Sequence, residues 1–278
     1  MPACYGPRVS PRRDRYLRDG FLVVEGFASP ATCDRLRDEA ARLVAEADLD
    51  SIETVFDVDD QAHAEDAWFL DSGGEVQPFL EPERDGGEVR VNKLGHALHD
   101  RVPAFAEFSR SPALAALVRE LGLADALLVQ SMVIFKHPRV GGLVNPHQDA
   151  TYLFTDPPGL MGLWLGLEDA TLDNGCLEVL PGAHHQGLRS RYRREGRRTW
   201  TETLDPRPWP EKGWQALEVP AGTLVAFDGL LPHRSAANRS PRSRCAYTLH
   251  LISESADYAS DNWLQRPPDM PLRGFESR

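Results

Sequence analysis

The 278-residue chain reads as a mainly β protein, a sandwich or jelly roll with flanking helices. Three observations predict this. Ser-Pro pairs before residue 126 open helical patterns, short β-type segments follow from about Leu127, and turn signals separate those segments at spacings that suit stacked sheets better than βαβ units. At Ser10, Ser29 and Ser111 the hydroxyl can cap free N–H groups, while the proline after it sits at the first helical position, where no N–H is needed. The helix from Pro30 to about Ala47 places Leu36, Ala40, Leu43, Val44 and Ala47 on one side. The helix from Ser111 lines up Leu114, Leu117, Val118 and Leu121 before Gly122 stops it. Residues from about Ser51 to Glu88 are acidic and lack periodicity, which predicts loop with short helical pieces. Strands are predicted over Leu127 to Lys136, Met161 to Leu167, Cys176 to Leu180, Trp214 to Val219, Leu224 to Phe227 and Cys245 to Ile252. Gly141-Gly142, Asp173-Asn174-Gly175, Pro181-Gly182 and Pro220-Ala221-Gly222 mark turns between them.

The chain is 41% hydrophobic and 26% charged, enough to bury a sizeable core, and no low-complexity linker divides it. One domain over 1–278 is expected: a mainly helical buttress with loops to 125, a β core over 126–255 and a C-terminal tail from 256. A net charge of -11 argues against nucleic acid or an anionic membrane as the main partner. Cys4, Cys33, Cys176 and Cys245 show no CxxC spacing, so reduced thiols are the simpler reading. No apolar run reaches bilayer length and Met1 to Arg13 lacks a signal-type apolar stretch, so a cytoplasmic protein is expected, its oligomeric state open.

The chemistry centres on His147-Gln148-Asp149, followed far downstream by His233 just after a predicted strand. On an extended segment His147 and Asp149 project to the same side, so both can reach one metal. Two histidines and one carboxylate on one face of an octahedral Fe(II) leave three positions open, which suits a bidentate ligand together with O2. A second triplet of this kind, His63-Ala64-Glu65, lies in the acidic region and reads as surface. Arg244, eleven positions beyond His233, opens a strand and could hold the remote carboxylate of 2-oxoglutarate with a planar, two-pronged contact. A cupin-like metal enzyme without a keto acid and a silent jelly-roll binding module are the competing readings.

The sequence resembles the phytanoyl-CoA dioxygenase family of Fe(II)/2-oxoglutarate oxygenases over most of its length. The likeness is carried by Asp19-Gly20-Phe21-Leu22-Val23-Val24, Asn92-Lys93-Leu94-Gly95-His96-Ala97-Leu98-His99, Gln130-Ser131-Met132, Pro146-His147-Gln148-Asp149, Asn174-Gly175-Cys176-Leu177, Pro181-Gly182-Ala183-His184 and the stretch from His233 to Arg244. The resemblance implies a double-stranded β-helix core of cupin type, with His147, Asp149 and His233 as iron ligands. It also implies that Lys93, Met132, Trp164, Ser235 and Arg244 hold 2-oxoglutarate, with O2 as the oxidant. Because Asp149 is present, hydroxylation or a related C–H oxidation is expected over halogenation, in which a halide takes the carboxylate's place. The substrate is expected to be a small molecule, whether acyl-CoA, amino acid or natural product.

The remaining histidines read as structural. His184 and His185 should face opposite ways and hydrogen-bond within a turn, while His96, His99, His137 and His250 belong to the core or surface. The run Arg189 to Arg198 carries six arginines and reads as a mobile loop, or alternatively as a lid that attracts an anionic substrate.

Overall fold

A computed structural model describes residues 10–49, 52, 67–81 and 89–276. Cys4 and the His63-Ala64-Glu65 triplet lie outside the described residues.

The three Ser-Pro helices form as expected. Ser10, Ser29 and Ser111 each accept a backbone N–H three residues on, capping α1 (Pro11–Asp19), α2 (Pro30–Glu46) and the later α6 (Pro112–Leu121). Gly122 ends α6 at φ 113°, a conformation that favours glycine. Between them lie β1 (Phe21–Val24), α3 (Ala67–Leu70), β2 (Val76–Leu80), β3 (Val91–His96), α4 (Leu98–Arg101) and α5 (Pro103–Ser109). The segment before residue 126, expected to be mainly helix and loop, thus also contributes three strands. One of them, β2, falls in the stretch read as loop. Its Val76-Gln77-Pro78-Phe79-Leu80 run carries a proline, and it lies at a sheet edge where a missing N–H does no harm.

The β half begins with β4 (Ala126–Lys136), β5 (Val144–His147), β6 (Thr155–Asp156), β7 (Leu160–Gly166) and β8 (Leu177–Val179). It continues with β9 (Ser190–Glu195), β10 (Arg198–Thr203), β11 (Gln215–Leu217), β12 (Leu224–Asp228), β13 (His233–Ser235), β14 (Arg244–Ser253) and β15 (Asp257–Tyr258). A seven-stranded sheet runs β1-β12-β7-β14-β4-β3-β2, and a four-stranded sheet runs β11-β8-β13-β5, all pairs antiparallel. The two sheets make the jelly roll.

The period of two sorts the large sheet's side chains between two environments. Leu94, Val133, Leu163, Leu165, Leu224, Ala226, Cys245, Tyr247 and Leu249 face the helices, packing with Leu36, Ala40, Phe105, Leu114 and Val118. Tyr247 lies 4.8 Å centroid to centroid from Phe105, and its hydroxyl meets Ser109 Oγ at 2.7 Å, so the buried phenol is satisfied. The alternate residues Trp164, Val225, Phe227 and Ala246 face Leu177, Val179 and Leu217 of the small sheet. Each large apolar side chain in these layers contributes about 1.5–3 kcal/mol by leaving water.

The C-terminal segment is tied down by charge. Asp100 of α4, its side chain fully buried, meets Arg110 at 2.6 Å, Arg266 at 2.5 Å and Arg273 at 2.9 Å. Burial works against its charge, but His99, Arg266 and Arg110 outweigh it and hold the carboxyl down at about 2. A depressed carboxyl stabilises the fold above the ordinary carboxylate range, near pH 4, and that contribution disappears as pH falls through about 2. Asp100→Ala leaves these guanidiniums facing an empty buried site and is expected to destabilise the protein by roughly 3–5 kcal/mol at neutral pH. Urea unfolding checks this, and a loss below about 1 kcal/mol would show that the cluster contributes nothing beyond surface pairs.

Candidate metal centre

β5 and β13 are neighbours in the small sheet, and their register sets His147 directly opposite His233. The chain stays extended through Gln148, then turns into a 3-10 turn at Asp149. His147 and Asp149 therefore project to one side and Gln148 to the other, as the alternation predicts. One ligand atom from each of His147, Asp149 and His233 lies within 4.8 Å of the others, and among the described residues this is the group that could hold a metal ion. His147 Nδ1 lies 2.8 Å from Asn145 O and His233 Nδ1 lies 3.1 Å from Leu231 O. With those protons donated to carbonyls, both Nε2 lone pairs face Asp149 Oδ1, at 3.5 and 3.6 Å.

Asp149 is 8% exposed. Burial alone would neutralise it, but the imidazoles packed around it, His250 in hydrogen-bond contact foremost, hold its carboxyl well below the usual range. Burial lowers His233 to about 4 with help from His147, so that ring is neutral and able to ligate at pH 7. His147 is pushed the other way, because Asp149 and the Asn145 carbonyl outweigh burial. Gly162 of β7 lets the sheet come this close. A Cβ there would stand 2.4 Å from Phe227 Cε2 and 3.0 Å from Asp149 Oδ2.

His250 corrects the sequence reading. Its Nε2 lies 2.9 Å from Asp149 Oδ2 inside the core, which fixes the carboxylate with Oδ1 toward the two ligand histidines. The signal was present. Arg244, Ala246, Thr248 and His250 share one face of β14 by the period of two, so a reading that turns Arg244 inward turns His250 inward as well.

Arg244, 3% exposed, lies on this inner face, its Cζ 5.8 Å from the Trp164 ring centroid. Its Nε and Nη1 are buried without a hydrogen-bond partner, and burial pushes its pKa down to about 10. Buried guanidinium nitrogens without partners are costly, and an anion beside them would offset that cost. Met132 pairs across the sheet with Thr248, and Thr248 with Trp164, so these three form one inner row. Lys93 sits one row away through Ile134 and Ala246. Its ammonium lies 4.9 Å from the Phe79 ring centroid, and burial lowers it to about 7. Ser235, 2% exposed, ends β13 opposite Val144.

The arginine run is a β-hairpin, which corrects the loop reading. Gly196-Arg197 is a two-residue turn, and Tyr192, Thr199, Trp200 and Thr201 supply strand formers. Three of its guanidiniums are paired with acids: Arg191 and Arg193 meet Asp261 at 2.7 and 2.5 Å, Arg193 meets Glu202 at 2.7 Å, and Arg194 meets Asp71 at 3.2 Å. Gln148 anchors the hairpin base, since its Oε1 accepts from Arg189 N at 2.9 Å while its Nε2 donates to Gly187 O and Leu230 O. His184 and His185 lie in a turn as expected, but their rings are close together and His184 bonds outside the turn. They sit in a 3-10 turn with ring centroids 3.9 Å apart, and His184 Nε2 reaches Leu17 O of α1 at 3.1 Å.

A family model described as phytanoyl-CoA dioxygenase matches residues 16–246. Phytanoyl-CoA dioxygenase domain-containing protein 1 of Mus musculus is 38% identical over 289 residues, spanning 97% of this chain and 98% of its own. Phytanoyl-CoA dioxygenase 1 of Oryza sativa subsp. japonica is 39% identical over 280 residues, spanning 96% of this chain and 99% of its own. Among solved structures, EctD from S. alaskensis with bound Fe superposes with a TM-score of 0.66 at 22% identity, covering 96% of this chain and 84% of its own. The epimerase SnoN, in complex with Fe3+, alpha ketoglutarate and nogalamycin RO, gives 0.63 at 17% identity, covering 94% and 90%. At such identities these two likenesses carry the jelly-roll fold alone. No helix among the described residues is long and apolar enough to cross a membrane. With the family model over most of its length and relatives this similar from end to end, the chain belongs to the phytanoyl-CoA dioxygenase family of Fe(II)/2-oxoglutarate-dependent oxygenases.

Proposed function

We propose that the protein couples oxidative decarboxylation of 2-oxoglutarate to hydroxylation, or a related C–H oxidation, of a small organic substrate. The observation that carries this reading is the Arg244 guanidinium, its Nε and Nη1 buried without a partner, on the same face of β14 as the carboxylate-fixing His250. A metal site alone would suit many cupin-like enzymes. A metal site with a buried cation awaiting an anion suits a keto diacid.

His147, Asp149 and His233 would hold Fe(II) as two neutral imidazoles and a carboxylate, leaving one face open. Bound there, the iron with 2-oxoglutarate and O2 supplies the oxidising power, yielding succinate and CO2 as it oxidises the substrate. Arg244 orients the co-substrate through its remote carboxylate, and Trp164 beneath the guanidinium keeps that contact dry. Lys93 and Ser235 supply further polar contacts, while Met132 shapes the wall. His250 keeps Asp149 aimed at the metal. The neighbours' small-molecule ligands, nogalamycin RO on SnoN and 5-hydroxyectoine on EctD, favour a free small molecule as substrate.

Release of labelled CO2 from 2-oxoglutarate, matched to succinate and dependent on Fe(II), tests the reading, and its absence with every candidate substrate pool would end it. His147→Ala, Asp149→Ala and His233→Ala should each weaken Fe(II) binding and abolish succinate formation while each variant still folds. Near-normal turnover in any of them removes that residue from the ligand set. Arg244→Ala should raise the KM for 2-oxoglutarate roughly 10- to 100-fold with little change in Fe(II) requirement, the loss of a charge-assisted pair. Equal dependence in wild type and variant removes Arg244 from the site. His250→Phe should weaken Fe(II) binding roughly 10- to 100-fold, as loss of a residue that orients a ligand does. Calorimetric titration with Fe(II) under argon reads this, and an unchanged constant would leave His250 a packing residue only.

A further inference from the structure

We infer that Lys136 is a positioning residue that ties the co-substrate end of the pocket to both histidine-bearing strands, an inference resting on the reading of Arg244 given above. Lys136 ends β4, is 2% exposed and stands directly across the ladder from Arg244. Its Nζ donates to two carbonyls, that of Gly142 and, at 2.8 Å, that of Ala236. Gly142 precedes β5, which carries His147, and Ala236 directly follows β13, which begins with His233. One ammonium thus joins the entry to one ligand strand with the exit from the other. Gly175 leaves room for the lysine stem, since a Cβ there would stand 2.8 Å from Lys136 Cδ.

A buried ammonium without partners would be expelled, so the two carbonyls and the cation hold one another in place. Two further charged groups face it. Arg244 lies on β14, and Glu81, just past β2, accepts from Gly142 N at 3.3 Å. Burial, with Arg244 adding to it and Glu81 opposing, brings the ammonium down to about 7. An anion on Arg244 cancels the repulsion between the two cations and favours the charged lysine. Co-substrate binding and the spacing of the two ligand strands are linked through this side chain.

Lys136→Met keeps the length of the side chain and removes its donors. It should weaken Fe(II) binding about tenfold in the absence of 2-oxoglutarate and raise the KM for 2-oxoglutarate about tenfold, the scale of one lost charged hydrogen-bond pair. Meanwhile kcat should stay within about threefold, because no reacting group is touched. A folded variant with both constants within about twofold of wild type overturns the inference. Lys136→Gln, shorter but still a donor, is measured in parallel and should fall between the two. Should neither variant fold, the wild type decides: Lys93, Lys136 and Lys212 are its only lysines, so Nζ resonances of protein labelled with 15N-lysine are resolvable. Adding 2-oxoglutarate to protein loaded with Zn(II), a diamagnetic stand-in, should move the Lys136 signal and raise its pKa, and an unmoved signal overturns the inference. Wild type that binds Fe(II) but neither binds nor consumes 2-oxoglutarate defeats the Arg244 reading instead, and the Fe(II) constants of the variants still decide the role of Lys136.

Discussion

The buried carboxylate of Asp149 is the charge around which the rest of this structure is arranged. A lone carboxylate in an apolar interior would take up a proton, and a protonated acid is a poor ligand. Its surroundings prevent it, with the His250 ring in hydrogen-bond contact with Oδ2. His147 and His233 come from the small sheet and His250 from the large one, so the carboxylate is met from both layers of the jelly roll. That requires the sheets to approach at this end, which Gly162 permits by offering no Cβ between Phe227 and Asp149. Two of the imidazoles are held by backbone carbonyls two residues upstream, those of Asn145 and Leu231, and one by the carboxylate. The donor geometry is therefore set before any metal arrives.

The inner face of the large sheet near these residues carries cations as well. Lys93, Lys136 and Arg244 all lie on the inner face of the large sheet, and burial lowers the pKa of each. Placing them there is affordable because the opposite face of the same strands is apolar and packed under helices α2, α5 and α6. On β14 the alternation is complete: Cys245, Tyr247 and Leu249 anchor the strand, while Arg244, Thr248 and His250 serve the pocket. Stability and chemistry are interleaved residue by residue on one strand.

This interleaving explains what was legible in the sequence. Helix starts with a Ser-Pro pair, long apolar strands and the Asn-Gly and Pro-Gly turns depend on local rules, and the structure keeps them. The HxD triplet was legible because its spacing matches the strand period, and His233 because it follows a strand end. His250 was passed over because a histidine inside an apolar strand looks like core filling until the face it shares with Arg244 is recognised. β2, with its proline, and the β9–β10 hairpin, with its arginines, were missed for another reason. Composition outweighed period there, and the partners that stabilise both elements are distant in sequence: Phe79 pairs with Lys93, and Arg191 with Asp261.

The hairpin also changes what its arginines can be asked to do. A guanidinium that already holds a carboxylate attracts a second anion weakly, since the pair is close to neutral beyond a Debye length. Asp261 accepts from both Arg191 and Arg193, while the Asn262 side chain beside it brackets the backbone of Phe154, just downstream of Asp149. These contacts fix the hairpin against the segment that follows Asp149. They set Tyr192 5.6 Å, ring to ring, from Tyr152, which itself lies 6.1 Å from His147. The arginines therefore act at one remove. Their charge holds the Tyr192 and Tyr152 rings in place beside His147.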